Sequence, residues 1–393
     1  MMLPFEGITV VALEQAVAAP FATRQLADLG ARVIKIERPV AGDFARHYDE
    51  TVNGLSSHFV WLNRSKESLT LDLKQEAARA VLRRLVVGAD VFIQNLAPGA
   101  AARLGFDAGS LRAAHPRLIV CEISGYGTTG PYRDKKAYDL LVQCETGLVS
   151  VTGAPDEPAK AGISVADIAA GMYAYTGILT ALYQRERTSE GAALEVSLFE
   201  ALGEWMGYPA YYAAYGGTPP PRMGASHATI APYGPFTAGD GHQINLAIQN
   251  EREWVAFCDT VLQRPALAHG ARFATNPARV AHRAKLHAEI TAAFASLTSD
   301  EVIVRLDQAG IANARMNTMT EFWNHPQLEA RNRWREVESP AGSLRALLPP
   351  VTMADIEPRM DPIPTVGQHT EAILRGLGYT SEDIAALRDA GAI

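Results

Sequence analysis

Within the stretch ISVADIAAGMYAYTG (163–177), Asp167 is the one charged side chain before a run of small and apolar residues that reaches Gln184. The ordinary use of an aspartate at such a place is to cap a helix, its oxygens taking the orphaned backbone N–H groups of the first turn. A second carboxylate with a chemical reading is Glu37, at the end of the apolar segment RVIKIE, where a dinucleotide fold keeps its ribose-binding acid. The segment LEQAVAAPFA that follows the first apolar strand holds no G-x-G-x-x-G, so a pyrophosphate would lack the close backbone approach that motif provides, and an NAD-dependent oxidoreductase is disfavoured. No H-x-x-x-H and no paired Cys/His spacing is present, so no metal site is expected.

These residues must be carried by elements. ITVVALEQAVAAPFATRQLADLGARVIKIERP reads as a strand over 8–13, a helix from Pro20 to Leu29 and a strand over 32–37, with Pro20 suited to a first turn and Gly30 to a C-terminal stop. A helix over 75–87 leads into the strand ADVFIQNL, and a helical piece over 111–115 leads into RLIVCEIS. Strands alternating with helices predict a mostly parallel sheet covered on both faces. The run from Ile168 to Gln184 is read as a buried helix, being short for a membrane span and interrupted by glycine. The glycine- and proline-rich YYAAYGGTPPPRMGASHATIAPYG marks a domain boundary, after which strand, turn, strand and Ala/Arg-rich helices form a smaller α+β unit. The expected division is therefore a large domain over 1–215, a small domain over 216–325 and a C-terminal segment over 326–393 that returns to the first.

With 393 residues, 48% hydrophobic and 20% charged, the composition is that of an ordinary globular protein. A net charge of −7 argues against nucleic acid or an anionic membrane as the main partner. Three scattered cysteines and no basic-then-apolar leader point to a reducing compartment, the cytoplasm.

Four separated stretches, GARVIKIERP, LDLKQEAARAVLRRLVVGADVFIQNLAPGAAARLGF, PYRDKKAYDLLVQCETGLVSVTG and GISVADIAAGMYAYTGILTALYQRERTSEG, with the ending GQHTEAILRGLGYTSEDIAALRDAGAI, resemble the class III CoA-transferases, the group of formyl-CoA transferase and the carnitine and bile-acid CoA-transferases. The resemblance runs over nearly the whole chain. It implies an α/β fold with a Rossmann-like parallel-sheet large domain and a smaller α+β domain, in an interlocked homodimer whose threading would use linkers around 219–221 and 340–350.

For Asp167 the resemblance implies a nucleophile. Its carboxylate, ionised near neutral pH with a reference pKa of about 3.9, would attack an acyl-CoA thioester without a separate base, held and kept charged by donors at the helix N-terminus. CoA thiolate leaves as a mixed anhydride forms, returns to make an aspartyl-CoA thioester, and passes to the acceptor acid through a second anhydride. The positions matching the family's CoA contacts are Arg38, Leu71, Lys74, Asn95, Leu96, Arg103 and Lys136, with Ala16, Val17 and Ala18 at the thioester end. Leu96 replaces an aromatic and Val17 a glutamine of formyl-CoA transferase, which speaks against adenine stacking and against oxalate-type chemistry. Gly224, Ser226 and His227 in RMGASHA stand where formyl-CoA transferase has a glycine-rich covering loop.

The related α-methylacyl-CoA racemases carry a GHD motif where this chain has KAYD, with Tyr138 in the histidine position followed by Asp139. Tyrosine is a poor base at neutral pH, so two-base racemisation loses a partner. The expected substrates are an acyl-CoA, with succinyl-CoA a candidate, and a small carboxylic acid, the segments APYGPF and NLAIQNEREW pointing to a dicarboxylate, with transfer between or within molecules. No tightly bound cofactor is expected. The rivals are a racemase-type isomerase and a non-catalytic CoA-binding protein.

Overall fold

A computed structural model describes residues 2–393 and divides the chain into two compact units. The first gathers residues up to Leu148, Ala161–Gly207 and Ala330–Ile393, and the second gathers Val149–Lys160 and Tyr208–Glu329.

In the first unit, strands β1 (Thr9–Leu13), β2 (Arg32–Glu37), β3 (Lys66–Thr70), β4 (Val91–Gln94), β5 (Ile119–Ser124) and β6 (Ala193–Ser197) form one sheet. Its order is β3-β2-β1-β4-β5-β6, parallel throughout. This is the doubly wound order, which reverses between β1 and β4. The apolar run of β1 follows from its place in the middle. Val10 and Ala12 pack on one face with α1 (Ala18–Asp28) and the long helix α5 (Val165–Thr188), while Val11 and Leu13 pack on the other with α2 (Glu76–Val87) and the C-terminal helices α11 (Thr370–Gly376) and α12 (Ser381–Asp389). A strand buried on both sides has no polar alternation to show.

The β2 boundaries agree with the sequence reading, β1 and α2 each start one residue later than it, and α1 starts two residues and ends one residue earlier. Strand β3 escapes that reading because Lys66 and Ser68 break its apolar pattern; both are buried and meet polar partners. β3 is the sheet edge, and the C-terminal segment covers it. Ser68 N–H donates to His369 Nδ1, His369 N–H to the Ser68 carbonyl, and Thr70 N–H to Thr370 Oγ1. That removes the free strand edge that invites pairing with another chain. The stretch 340–350, expected as a linker, is half of a hairpin between β10 (Trp334–Ser339) and β11 (Gly342–Leu347).

Helix α5 extends beyond the expected 168–184 at both ends. Its length and composition would suffice to cross a membrane, yet Ala166, Ala170, Ala174, Ile178 and Ala181 make a buried face against α1, β5 and β6. Small residues on α1 (Ala18, Ala19, Ala22) allow a close crossing. At its tightest point a β-carbon on Gly171 would stand 2.6 Å from the Ala18 carbonyl oxygen.

The second unit is α+β. Strands β7 (Tyr233–Thr237), β8 (Gln243–Ala247) and β9 (Ala312–Arg315) form an antiparallel sheet of order β9-β8-β7. Helices α8 (Glu251–Ala256), α9 (Arg283–Phe294) and α10 (Ser299–Gln308) pack around Trp254, Phe257 and Phe294.

Gly171→Ala should lower the urea midpoint by the equivalent of about 1–3 kcal/mol, overpacking outweighing the roughly 1 kcal/mol that alanine gains in a helix. Gly177→Ala, whose β-carbon would meet only Leu194 Cδ1 at an ordinary 3.6 Å, should hold or raise it. Equal midpoints for the two variants would refute the close-crossing account.

Candidate active site

Asp167 lies in the first turn of α5, but it is not the cap. Ser164 holds the N-cap position without a side-chain bond, and the amide of Ala166 donates to Asp139 Oδ1 at 2.8 Å, from the start of helix α4 (Asp139–Glu145). Asp139 Oδ2 accepts from Gln143 Nε2 at 2.6 Å, and Gln143 Oε1 in turn accepts the amide of Ala161. One first-turn donor, the Ala166 amide, is thus met from another helix, and no hydrogen bond reaches the Asp167 carboxyl among the described residues. Half-buried, with the Asp139 carboxylate beside it, that carboxyl is pushed up to about 7, burial being the larger cause. The expectation of a fully ionised carboxylate steadied by helix-end donors is therefore corrected: burial and the Asp139 carboxylate favour the protonated form, and no donor among the described residues steadies the charge. Tyr48 faces the same space: burial, then Asp43, Asp167 and Tyr138, push its hydroxyl up to about 12. Tyr138 is 68% exposed, so it is no core aromatic.

The crossing of α5 on α1 sets this turn near the loop between β1 and α1. There Ala16 takes a left-handed φ of +60°, and Val17 precedes the first turn of α1. The Ala16 amide donates to Asp43 Oδ1 at 3.1 Å, Asp43 Oδ2 accepts from Lys35 Nζ at 2.8 Å, and Glu14 accepts from Lys66 Nζ at 2.6 Å. Burial raises both carboxyls, but the lysines outweigh it and hold Glu14 and Asp43 below the ordinary carboxylate range.

Asn95 sits on the neighbouring loop after β4. Its Nδ2 donates to the Gln15 carbonyl at 2.8 Å and its Oδ1 accepts the Gln15 amide at 2.9 Å, tying together the two loops at the point where the strand order reverses. In open α/β sheets ligands bind in the crevice at that point. Leu96, whose amide donates to Gln94 Oε1, is half-buried on the same loop. Arg38, Lys74, Arg103 and Lys136 are solvent-exposed, Arg38 and Lys74 just beyond β2 and β3, Arg103 in the helical turn after Gly99 and Lys136 ahead of α4. Leu71 differs from the rest: its side chain is buried in the core, leaving only its backbone for a ligand. Glu37 is spent on Arg46, Ser68 and the Asp43 amide, which leaves no oxygen for a ribose.

The sequence profile described as CoA-transferase family III matches residues 5–370. The chain belongs to CoA-transferase family III. It is 34% identical to a protein of Agrobacterium fabrum named succinate–glutarate CoA-transferase, over 95% of this chain and 96% of that one. It is 31% identical to a mouse protein named succinyl-CoA:glutarate CoA-transferase, over 100% of this chain and 91% of that one. A crystal structure of a CaiB/BaiF family protein from Brucella suis superposes with a TM-score of 0.85 at 35% identity, covering 96% of this chain and all of that one.

The chain is accordingly a CoA-transferase. Three further candidate positions of this family III enzyme, Gly224, Ser226 and His227, lie in the second unit. Gly224 N–H donates to the Gly153 carbonyl, Ser226 Oγ lies 2.5 Å from where a β-carbon on Gly234 would stand, and His227 stacks on Tyr233 with ring centroids 5.1 Å apart. Residues that sequence reasoning missed are Tyr48 and the buried set Glu14, Lys35, Asp43 and Lys66. A usable signal was present, since a lysine inside a buried strand needs a carboxylate partner. Two clefts of about 370 and 430 Å³ open elsewhere in the first unit, one lined by residues between Arg331 and Pro358 and the other by Arg112, Pro116 and Glu190 among others, and neither includes Asp167.

The raised Asp167 carboxyl has a stability consequence. Unfolded, the group titrates near about 3.9; folded, near 7; so the fold favours the protonated form, and stability is lost as pH rises between these values. Asp167→Asn removes the titration and should melt higher than the wild type at pH 8, with the gain fading by pH 4. A gain independent of pH would contradict the placement.

Proposed function

We propose that the enzyme moves CoA from an acyl-CoA, with succinyl-CoA the leading donor, to a small dicarboxylic acid through Asp167. The observation that carries this is a half-buried carboxyl with no hydrogen-bond donor among the described residues, at the start of a helix pressed onto the first turn of α1. A carboxylate capped by donors is weakly basic and its lone pairs are occupied. One that is desolvated and raised is a stronger nucleophile once ionised. An Asp167 oxygen attacks the thioester carbonyl carbon, the C–S bond breaks, and thiolate leaves from a mixed anhydride. The thiolate then attacks the Asp167 acyl carbon, freeing the donor acid and leaving an aspartyl-CoA thioester. The acceptor carboxylate attacks that thioester, and the thiolate released takes the acceptor acyl group, restoring the carboxylate. Every step exchanges one carboxyl oxygen for one sulfur, so no metal or redox cofactor is called on.

In this reading the exposed Arg38, Lys74, Arg103 and Lys136 meet the phosphates of CoA, Arg through paired N–H donors and Lys as point charges. Asn95 and the Ala16–Ala18 turn border the thioester end. A dicarboxylic acceptor is supported by the relatives named for succinate, glutarate and citramalate, and Val17 in place of a glutamine speaks against oxalate. We place the enzyme in the cytoplasm as a homodimer. Helix α7 (Gly207–Gly216) has no buried residue, and its tyrosines 208, 211, 212 and 215 form a stripe at helical spacing that a second copy would cover.

With succinyl-CoA and glutarate the enzyme should yield glutaryl-CoA and succinate, and Asp167→Ala should lower the rate by roughly 10³-fold or more while still binding CoA. Undiminished exchange in that variant would remove Asp167 from the mechanism. CoA binding without exchange to any dicarboxylate in a panel would reduce the protein to a carrier.

A further inference from the structure

Nucleotide-binding folds use glycine where the chain turns from β1 into the first helix, because the backbone there enters a conformation that side chains disfavour. This chain enters it with Ala16, at φ +60°. Left to itself an L-residue would leave that conformation, so something must hold it. Both peptide groups that flank Gln15, leading into Ala16, are clamped. Asn95 brackets Gln15 through a donor and an acceptor. Asp43 Oδ1 takes the Ala16 amide at 3.1 Å and the Ala45 amide at 2.9 Å, while its Oδ2 is fixed by Lys35 Nζ at 2.8 Å. Lys35 is fully buried and also reaches Glu14, which is itself held by Lys66 and Thr23.

Four charges packed into a core are a poor way to gain stability, since desolvation opposes their attraction and apolar residues of similar volume often serve as well. Their arrangement is directional: one oxygen of Asp43 points at the strained amide, and the lysine holds the other in place. We propose that Asp43 is a positioning residue that, anchored by Lys35, keeps the Ala16 turn in the one form able to receive the thioester end of an acyl-CoA. This rests on the CoA-transferase site proposed above. The charged set does in this fold what a glycine motif does in a dinucleotide-binding one.

The test measures, by calorimetry, the affinity of the whole enzyme for two probes. One is a thioether analogue of succinyl-CoA, which reaches the turn and cannot be transferred; the other is 3′-phosphoadenosine diphosphate, the nucleotide end alone. Asp43→Ala should weaken the analogue by about five- to thirty-fold and leave the nucleotide within about twofold. Adding Ala16→Gly, which takes the left-handed turn freely, should restore the analogue to within about threefold of the wild type. Unchanged analogue affinity, equal loss of both probes, or a loss that glycine does not repair would each overturn the proposal. If Asp43→Ala does not fold, two uncharged pairs decide it. Asp43→Asn with Lys35→Met keeps an acceptor for Ala16 and should bind the analogue normally, whereas Asp43→Leu with Lys35→Met lacks it and should not; equal binding by the two pairs overturns the proposal. Wild-type enzyme that binds neither probe would bring down the transferase site itself, and this inference with it.

Discussion

The Ala18 carbonyl oxygen lies 2.6 Å from where a β-carbon on Gly171 would stand, and the arrangement of the first unit around the site depends on that approach. It presses the start of a long helix against the start of α1, on the central strand of a doubly wound sheet. Asp167 is one helical turn before Gly171 and shares its face, so the contact that removes a side chain at 171 also sets the carboxyl over the β1–α1 loop. A bulkier pair of helices would hold the same sheet together with the carboxyl set further back.

Two kinds of carboxylate result from this geometry. Glu14, Glu37 and Asp43 are buried with cations and backbone donors around them, and they stay charged below the ordinary range. Asp167 is partly exposed, has no donor among the described residues, and is raised by burial and by Asp139. The first three shape the loops. The fourth is reactive because nothing in its surroundings satisfies it, and it is spared the capping task because Asp139 performs it.

Much of the frame was legible in the residues. Strand β2 ends where RVIKIE ends, and a strand–helix–strand rhythm implied a parallel sheet, because elements buried on both faces are apolar throughout. Strand β3 was hidden because Lys66 and Ser68 point into a polar interior that no local pattern reveals. Short strand-like pieces were legible in the tail after Pro326, but the proline and small residues at the turn read as linker and hid the pairing over 334–347. At the site, Asp167 stood out by isolation, and family likeness rather than spacing assigned its role. Its ionisation was misjudged, because desolvation and a neighbour 28 positions earlier in the chain are tertiary facts. The bond between Asp43 and Ala16 is of the same kind: neither a left-handed alanine nor its partner can be read from EQAVA.

The central claim is that one side chain carries the CoA covalently between donor and acceptor. The direct measurement is mass spectrometry of peptides from enzyme mixed with succinyl-CoA and quenched with hydroxylamine, which converts an activated acyl group to a hydroxamate. The account predicts a hydroxamate on Asp167, dependent on the thioester and absent from Asp167→Asn. An unmodified Asp167 in enzyme that is turning over, or a hydroxamate on another carboxyl, would contradict it.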